Sequence, residues 1–227
     1  MHLKSTVIMS LAGAAAGLIM VGQSANADII EARFNSVEPG KGAEYSVDGG
    51  ANYSDSKAGY YNWTRLGGDY AGPGADGEFI TFCIEVTQNI GYGNEYEFIV
   101  ADPSDAPIPG SGMGDAKALL MAELFGRHYS DSFNNDDAYS FQAAVWEIVM
   151  DDGLALDDGD FRIRNGGAAL DTAQDWLDSL DGTGQTMQLA AMTSASVQDQ
   201  LFIVPSPASG MLAAAGLLLV GTRRRRA

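Results

Sequence analysis

Two residues stand out as a pair that could do chemistry: Cys83, the only cysteine of the 227-residue chain, and Gln142, a carboxamide set in an apolar run. Around Cys83, Ile80, Phe82, Ile84 and Val86 alternate onto one strand face, while Cys83 falls on the other with Phe79, Thr81 and Glu85. A free thiol used as filler belongs with the isoleucines, because it behaves as a small hydrophobe. Something must cover the mixed face, and a helix is the expected cover. Between Ala138 and Met150 nearly every residue is apolar except Ser140, Gln142 and Glu147, the mark of a helix buried on most sides. Gln142 lies one turn from both Ala138 and Trp146, so its amide points into protein. An unpartnered buried amide costs on the order of 1–3 kcal/mol.

A thiolate held against a carboxamide carbonyl can displace ammonia and leave an internal thioester. Fixed attack geometry supplies the effective molarity this slow exchange needs. Lowering the thiol pKa from its usual value of about 8.5, or protonating the leaving nitrogen, would help. Glu85, His128 and Glu147 are the candidates for those tasks, and Trp146 the neighbour one turn along. Once formed, the thioester is an activated acyl group that an amine or hydroxyl of another molecule could open. A single thiol otherwise serves as inert packing or as an intermolecular handle.

The ends of the chain carry their own signals. An n-region with His2 and Lys4, an apolar stretch from Val7 to Val21 and the small-x-small sequence Ala25-Asn26-Ala27 read as a secretory signal peptide over residues 1–27. Exported proteins usually hold cysteine in disulfides, which makes a single thiol more informative. At the other end, residues 204–227 comprise Val204-Pro205-Ser206-Pro207, an apolar run from Ala208 to Thr222, and Arg223, Arg224, Arg225 and Arg226. The run would span about 22 Å as a helix, short of the roughly 30 Å hydrocarbon core. It can engage a bilayer only with the arginines snorkelling to the cytoplasmic side. This end resembles the PEP-CTERM sorting signal, with Ser206 where glutamate is usual. The resemblance implies an exosortase-type enzyme as partner, a transient inner-membrane anchor, and delivery to the cell surface or extracellular matrix.

Between the ends lie residues 28–203, enough for one domain with its own core. Removing the end segments takes five of the 13 basic residues and none of the 30 acidic ones, leaving 8 against 30, a net charge of −22. Such a surface repels phosphate backbones, so nucleic acid is excluded as a partner. Strands are expected at Ile29–Ser36, Ala43–Val47, Tyr60–Leu66, Glu78–Val86 and Glu95–Ala101, then again at Gln185–Met192 and Asp199–Val204. Helices are expected at Ala116–Phe125 (Asp115 as cap, Gly126 as stop), from Asp136 or Asp137 to Met150, and at Ala168–Leu180. The fold class is α+β: an antiparallel sheet or barrel, an insert of about three helices and closing strands, flanked by signal and sorting helices.

Phe82-Cys83-Ile84 and Phe141-Gln142-Ala143-Ala144-Val145-Trp146-Glu147 resemble the motifs of the Cys-Gln thioester domains of bacterial surface proteins. The resemblance implies a Cys83–Gln142 bond and a non-enzymatic adhesive role toward glycan or protein ligands of a surface or biofilm matrix. The alternative is a non-covalent structural matrix protein with an inert thiol. No cofactor is expected. The Asp-rich stretches Asp131–Asp137 and Asp151–Asp160 lack EF-hand spacing, although the charge leaves room for weak calcium binding. One Cys and one His support no zinc site. A hydrolase would have to use His128, without a nucleophile-elbow pattern around any serine. Tyr60, Tyr61 and Trp63 offer a stacking surface for glycans, against the commoner role of such residues in cores.

Overall fold

The computed structural model describes residues 28–74 and 77–204. Seven strands and three α-helices make up the α+β fold: β1 (Ile29–Ser46), β2 (Ser54–Gly67), β3 (Glu78–Cys83), β4 (Glu95–Ala101), α1 (Gly114–His128), α2 (Asn135–Met150), β5 (Arg162–Arg164), α3 (Ala168–Asp178), β6 (Leu189–Thr193) and β7 (Gln200–Ile203). Every strand pairing is antiparallel. The order β1-β2-β3-β7-β6-β4 returns to β1 and closes a six-stranded barrel, while β5 adds to the far end of β1. Closure removes the sheet edges that an open sheet would have to protect.

The long hairpin of β1 and β2 is the spine. Two separate strands at Ile29–Ser36 and Ala43–Val47 were expected; the backbone instead runs through Glu38-Pro39-Gly40 as one 18-residue strand. Irregular register around Phe34/Ser36 and Val37/Gly40 absorbs the proline. Gly40 faces Gly59 across the ladder, and a Cβ on Gly59 would stand 2.6 Å from the Gly40 Cα. Only bare backbones can cross there. β5 was not expected because its three residues hold a single apolar side chain, just after an Asp-rich stretch. It is tied to β1 by the ion pair between Arg164 and Glu44, 2.6 Å.

The barrel has two buried sides, which overturns the expected assignment of faces on β3. Phe34, Trp63, Phe79 and Phe98 converge from four strands, with ring centroids 5.1–6.4 Å from Trp63, and fill the lumen. The mixed face of β3 looks into this lumen: the Trp63 indole N–H donates to the Thr81 hydroxyl (2.9 Å), which donates to Gln200 Oε1 (2.8 Å). Phe82, assigned to the core face, points outward beneath the helices and meets Tyr60, Phe125, Tyr129 and Phe141. A strand buried on both faces defeats an inside–outside reading of alternation. Tyr60, Tyr61 and Trp63 are 3%, 3% and 0% exposed, so they form core rather than a surface platform for glycans.

Helix limits follow local chemistry. The Asn134 side chain, not Asp136 or Asp137, caps α2 by accepting from the N–H groups of both aspartates at 2.8 and 3.0 Å. Gly126 does not stop α1, which continues to His128. Its lack of a side chain serves packing: a Cβ there would stand 2.0 Å from the Gln185 carbonyl oxygen. The chain before β6 lies that close because the Met187 N–H donates to the Ala122 carbonyl (2.9 Å). Among the described residues no helix is long and apolar enough to cross a membrane. The expected signal cleavage at Ala25 and Ala27, and Pro205, Ser206, Pro207 and Arg223 to Arg226 of the expected sorting signal, lie outside the described residues.

Gly126 provides a test of this packing. Replacing a mid-helix glycine by alanine ordinarily stabilises by about 1 kcal/mol. Here Gly126→Ala should instead destabilise by about 1–3 kcal/mol, the cost of overpacking, read as a lower urea midpoint. A higher midpoint would mean that the 185–187 segment does not bear on α1.

Candidate functional site

Cys83 is the last residue of β3, and the reason lies in Glu85. The Glu85 carboxylate accepts the N–H groups of Thr87 (2.6 Å) and Gln88 (2.8 Å) and the Thr87 hydroxyl, turning the chain out of the sheet. The Ile84 N–H still reaches the Asp199 carbonyl at 3.0 Å, so the rim stays anchored. The Asp199 carboxylate then binds the Ile108 and Ser194 N–H groups, both at 2.6 Å. Burial nevertheless raises its pKa to about 6, against the lowering effect of those bonds. Cys83 is thus delivered to the end of the barrel nearest the helical layer.

There it meets α2. The Cys83 N–H donates to Gln142 Oε1 (3.0 Å), and Gln142 Nε2 donates to the Cys83 carbonyl (2.8 Å). One carboxamide therefore satisfies both backbone groups of one residue, 59 positions away in sequence. Both residues are 0% exposed. The expectation that the Gln142 amide points into protein holds in this geometry. α2 also supplies Trp146, whose buried indole N–H has no hydrogen-bond partner that meets ordinary geometry but faces the sulfur closely enough to lower its pKa.

The thiol itself is neutral and held. It donates to the Glu85 carbonyl (2.9 Å), and burial pushes its pKa up to about 12, outweighing the opposing effect of the neighbouring polar groups, Trp146 and Tyr61 among them. The Tyr61 hydroxyl faces the sulfur from β2, and loss of solvent drives its own pKa well above 10. The residue type of Tyr61 allows a glycan contact and, more commonly, a core position; its place beside Cys83 depends on the pairing of β2 with β3, where it stands opposite Thr81. Nothing in a lone sequence reveals that register.

The supporting residues separate. The Glu85 carboxylate is occupied by the turn, so only its carbonyl touches the thiol. His128 sits at the far end of α1, stacked on Trp176 with centroids 5.3 Å apart and its Nε2 2.9 Å from the Ser179 hydroxyl. Burial and the neighbouring Arg127 lower its pKa. Its partners are those of a structural histidine joining α1 to α3. Glu147 is 0% exposed, and neither carboxylate oxygen has a hydrogen-bond partner. It looks toward the 151–157 loop, where Asp151, Asp157, Lys117 and the Ala155 amide surround it, not toward Cys83. Among the described residues no three His, Cys, Asp or Glu side chains converge on a metal position, in the Asp-rich stretches or elsewhere.

Burial, reinforced by Asp151, lifts the Glu147 pKa to about 8 against an ordinary 4.5. The folded protein therefore holds a proton that the unfolded chain releases earlier. Stability from this group is complete below about pH 4.5 and is lost progressively up to about pH 8. Glu147→Gln keeps the shape and removes the ionisation. The variant should match the parent at pH 4 and exceed it by about 4–5 kcal/mol at pH 8.5 in urea unfolding; equal stability at both pH values would show that Glu147 is solvated in solution. Compared with protein-family models, with curated proteins and with solved structures, the chain finds no match.

Proposed function

We propose that the protein is an exported surface or matrix adhesin in which Cys83 and Gln142 form an internal thioester. The reciprocal pairing of the Gln142 carboxamide with the Cys83 backbone is the observation that carries this reading. In the bond-forming step the Cys83 sulfur adds to the Gln142 side-chain carbonyl carbon. The oxyanion that develops on Oε1 is already hydrogen-bonded by the Cys83 N–H, a preorganised donor. The C–N bond then breaks, the thiol proton passes to Nε2, and ammonia leaves.

The high thiol pKa has two consequences. Little thiolate is present near neutrality, so formation depends on proximity rather than on an activated nucleophile. A thiol of pKa about 12 is also a poor leaving group, and it is shielded from water, so a thioester once made should persist until an acceptor reaches it. The unpartnered Trp146 N–H and the Tyr61 hydroxyl are the donors available to the sulfur when the bond opens. Delivery to the surface rests on the two end segments; Val204, which opens the sorting motif, is the last described residue. An exosortase-type enzyme is the partner this requires, and the released domain would act without a cofactor or turnover.

The second reading is favoured by how well the thiol form is satisfied: the carboxamide and the thiol proton all have partners. In that case the pair is a clamp in a non-covalent matrix protein. Intact mass of the purified exported domain decides. The thioester reading expects a mass one ammonia below the sequence value, full mass in Cys83→Ala, and no thiol labelling under denaturing conditions until methylamine is added. Full mass in the parent, with immediate labelling once unfolded, would establish the clamp and overturn the thioester.

A further inference from the structure

A thioester at Cys83 and Gln142 would be sealed on every side, since both residues and Trp146 are 0% exposed. An acceptor needs a way in. Tyr61 both faces the Cys83 sulfur and lines an open cavity. That cavity, about 130 Å³, sits at the barrel mouth between Ser56 and Lys57 of β2 and the Asn89, Ile90 and Gln198 loops. Its volume equals that of about four waters, room for one edge of a ring rather than for a folded partner.

Three rings lead inward. Tyr92, 62% exposed, stacks on Phe34 at 5.0 Å and 19°, and Phe34 stacks on Tyr61 at 5.5 Å and 25°. The polar groups along this path are neutral: the Ser56 hydroxyl and the Asn89 and Gln198 carboxamides. The single charge is Lys57, held by Glu38 at 3.2 Å. No carboxylate lines the cavity, although acidic residues outnumber basic ones 30 to 13 in the whole chain. An ammonium finds no counter-charge there, whereas a polyol finds hydroxyl and amide partners and an exposed ring to lie against.

We propose that this cavity is the acceptor site of the thioester and that it selects a neutral, hydroxyl-rich acceptor of the saccharide type, with Tyr92 as the outer platform and Tyr61 as the inner gate. The inference rests on the thioester reading. In the transfer, an acceptor oxygen adds to the Gln142 side-chain carbonyl carbon, the C–S bond breaks, and the acceptor proton ends on the Cys83 sulfur. The product is a side-chain ester at position 142 and a free thiol. Tyr61 is a positioning residue until its ring moves aside.

The test uses the exported domain with its thioester confirmed by mass, mixed with methyl glucoside or methylamine, and follows adduct mass and thiol release. Ser56→Trp, a half-buried position at the cavity wall, should slow glucoside adduct formation about tenfold or more. Tyr92→Ala should slow the glucoside reaction while leaving that of methylamine, too small to need the platform, within about twofold. Glucoside adducts forming at the parental rate in both variants would overturn the proposal. If the parent has full mass, the thioester reading fails separately. The route is then read from alkylation of Cys83 by iodoacetamide in the native state, which Ser56→Trp should slow; equal alkylation rates would overturn the route as well.

Discussion

The fold is organised around the two hydrogen bonds between the Gln142 carboxamide and the backbone of Cys83. Each would otherwise be a liability. Cys83 ends its strand with an N–H and a carbonyl that need partners, and an unpaired buried backbone group costs as much as a lost hydrogen bond. Gln142 is a buried amide in a helix that is otherwise apolar around it. Each cancels the other's cost, and the pairing fixes how far α2 can slide along the barrel mouth. Losing the glutamine side chain alone would strand two main-chain groups in the dry interior.

This constraint explains why polar residues gather at the barrel end while the sides are aromatic. The Glu85 turn, the Asp199 clamp on Ile108 and Ser194, and the Thr81–Gln200–Trp63 chain each satisfy backbone or side-chain groups near Cys83. Outside the barrel, Tyr60, Phe82, Phe125, Tyr129 and Phe141 hold α1 and α2 down by tilted and edge-on contacts 4.7–6.2 Å apart. The aromatic layer sets the height of α2 and the amide sets its position. Together they leave Trp146 beside the sulfur.

Much of this was legible in residue types. The strand-then-helix order and the buried helix around Gln142 follow from periodicity, and the two residues do meet. What was not legible depends on long-range pairing. Whether Phe82 or Thr81 faces the lumen is decided by barrel closure, which alternation within one strand cannot report. Gly126 looked like a stop because the approach of the 185–187 segment is invisible locally. Glu147 and His128 were grouped with Cys83 because they are titratable, and residue type does not report where a side chain lands; α2 carries Glu147 to a different face from Gln142, and His128 packs on Trp176 and Ser179.

The same geometry that brings the pair together also limits what it can do. On the proposed thioester reading, a site with 0% exposure and a thiol pKa pushed up to about 12 suits the storage of an acyl group. Reactivity must then be governed by access, and access at the barrel mouth is controlled by side chains rather than by any helix, because α2 is held at this rim by its amide. Tyr61 can swing without breaking a strand pairing, whereas moving Trp146 means moving α2 with it. Under the proposed thioester, a store opened by one aromatic ring, with the sulfur facing two donors, would favour a small neutral acceptor over a charged partner.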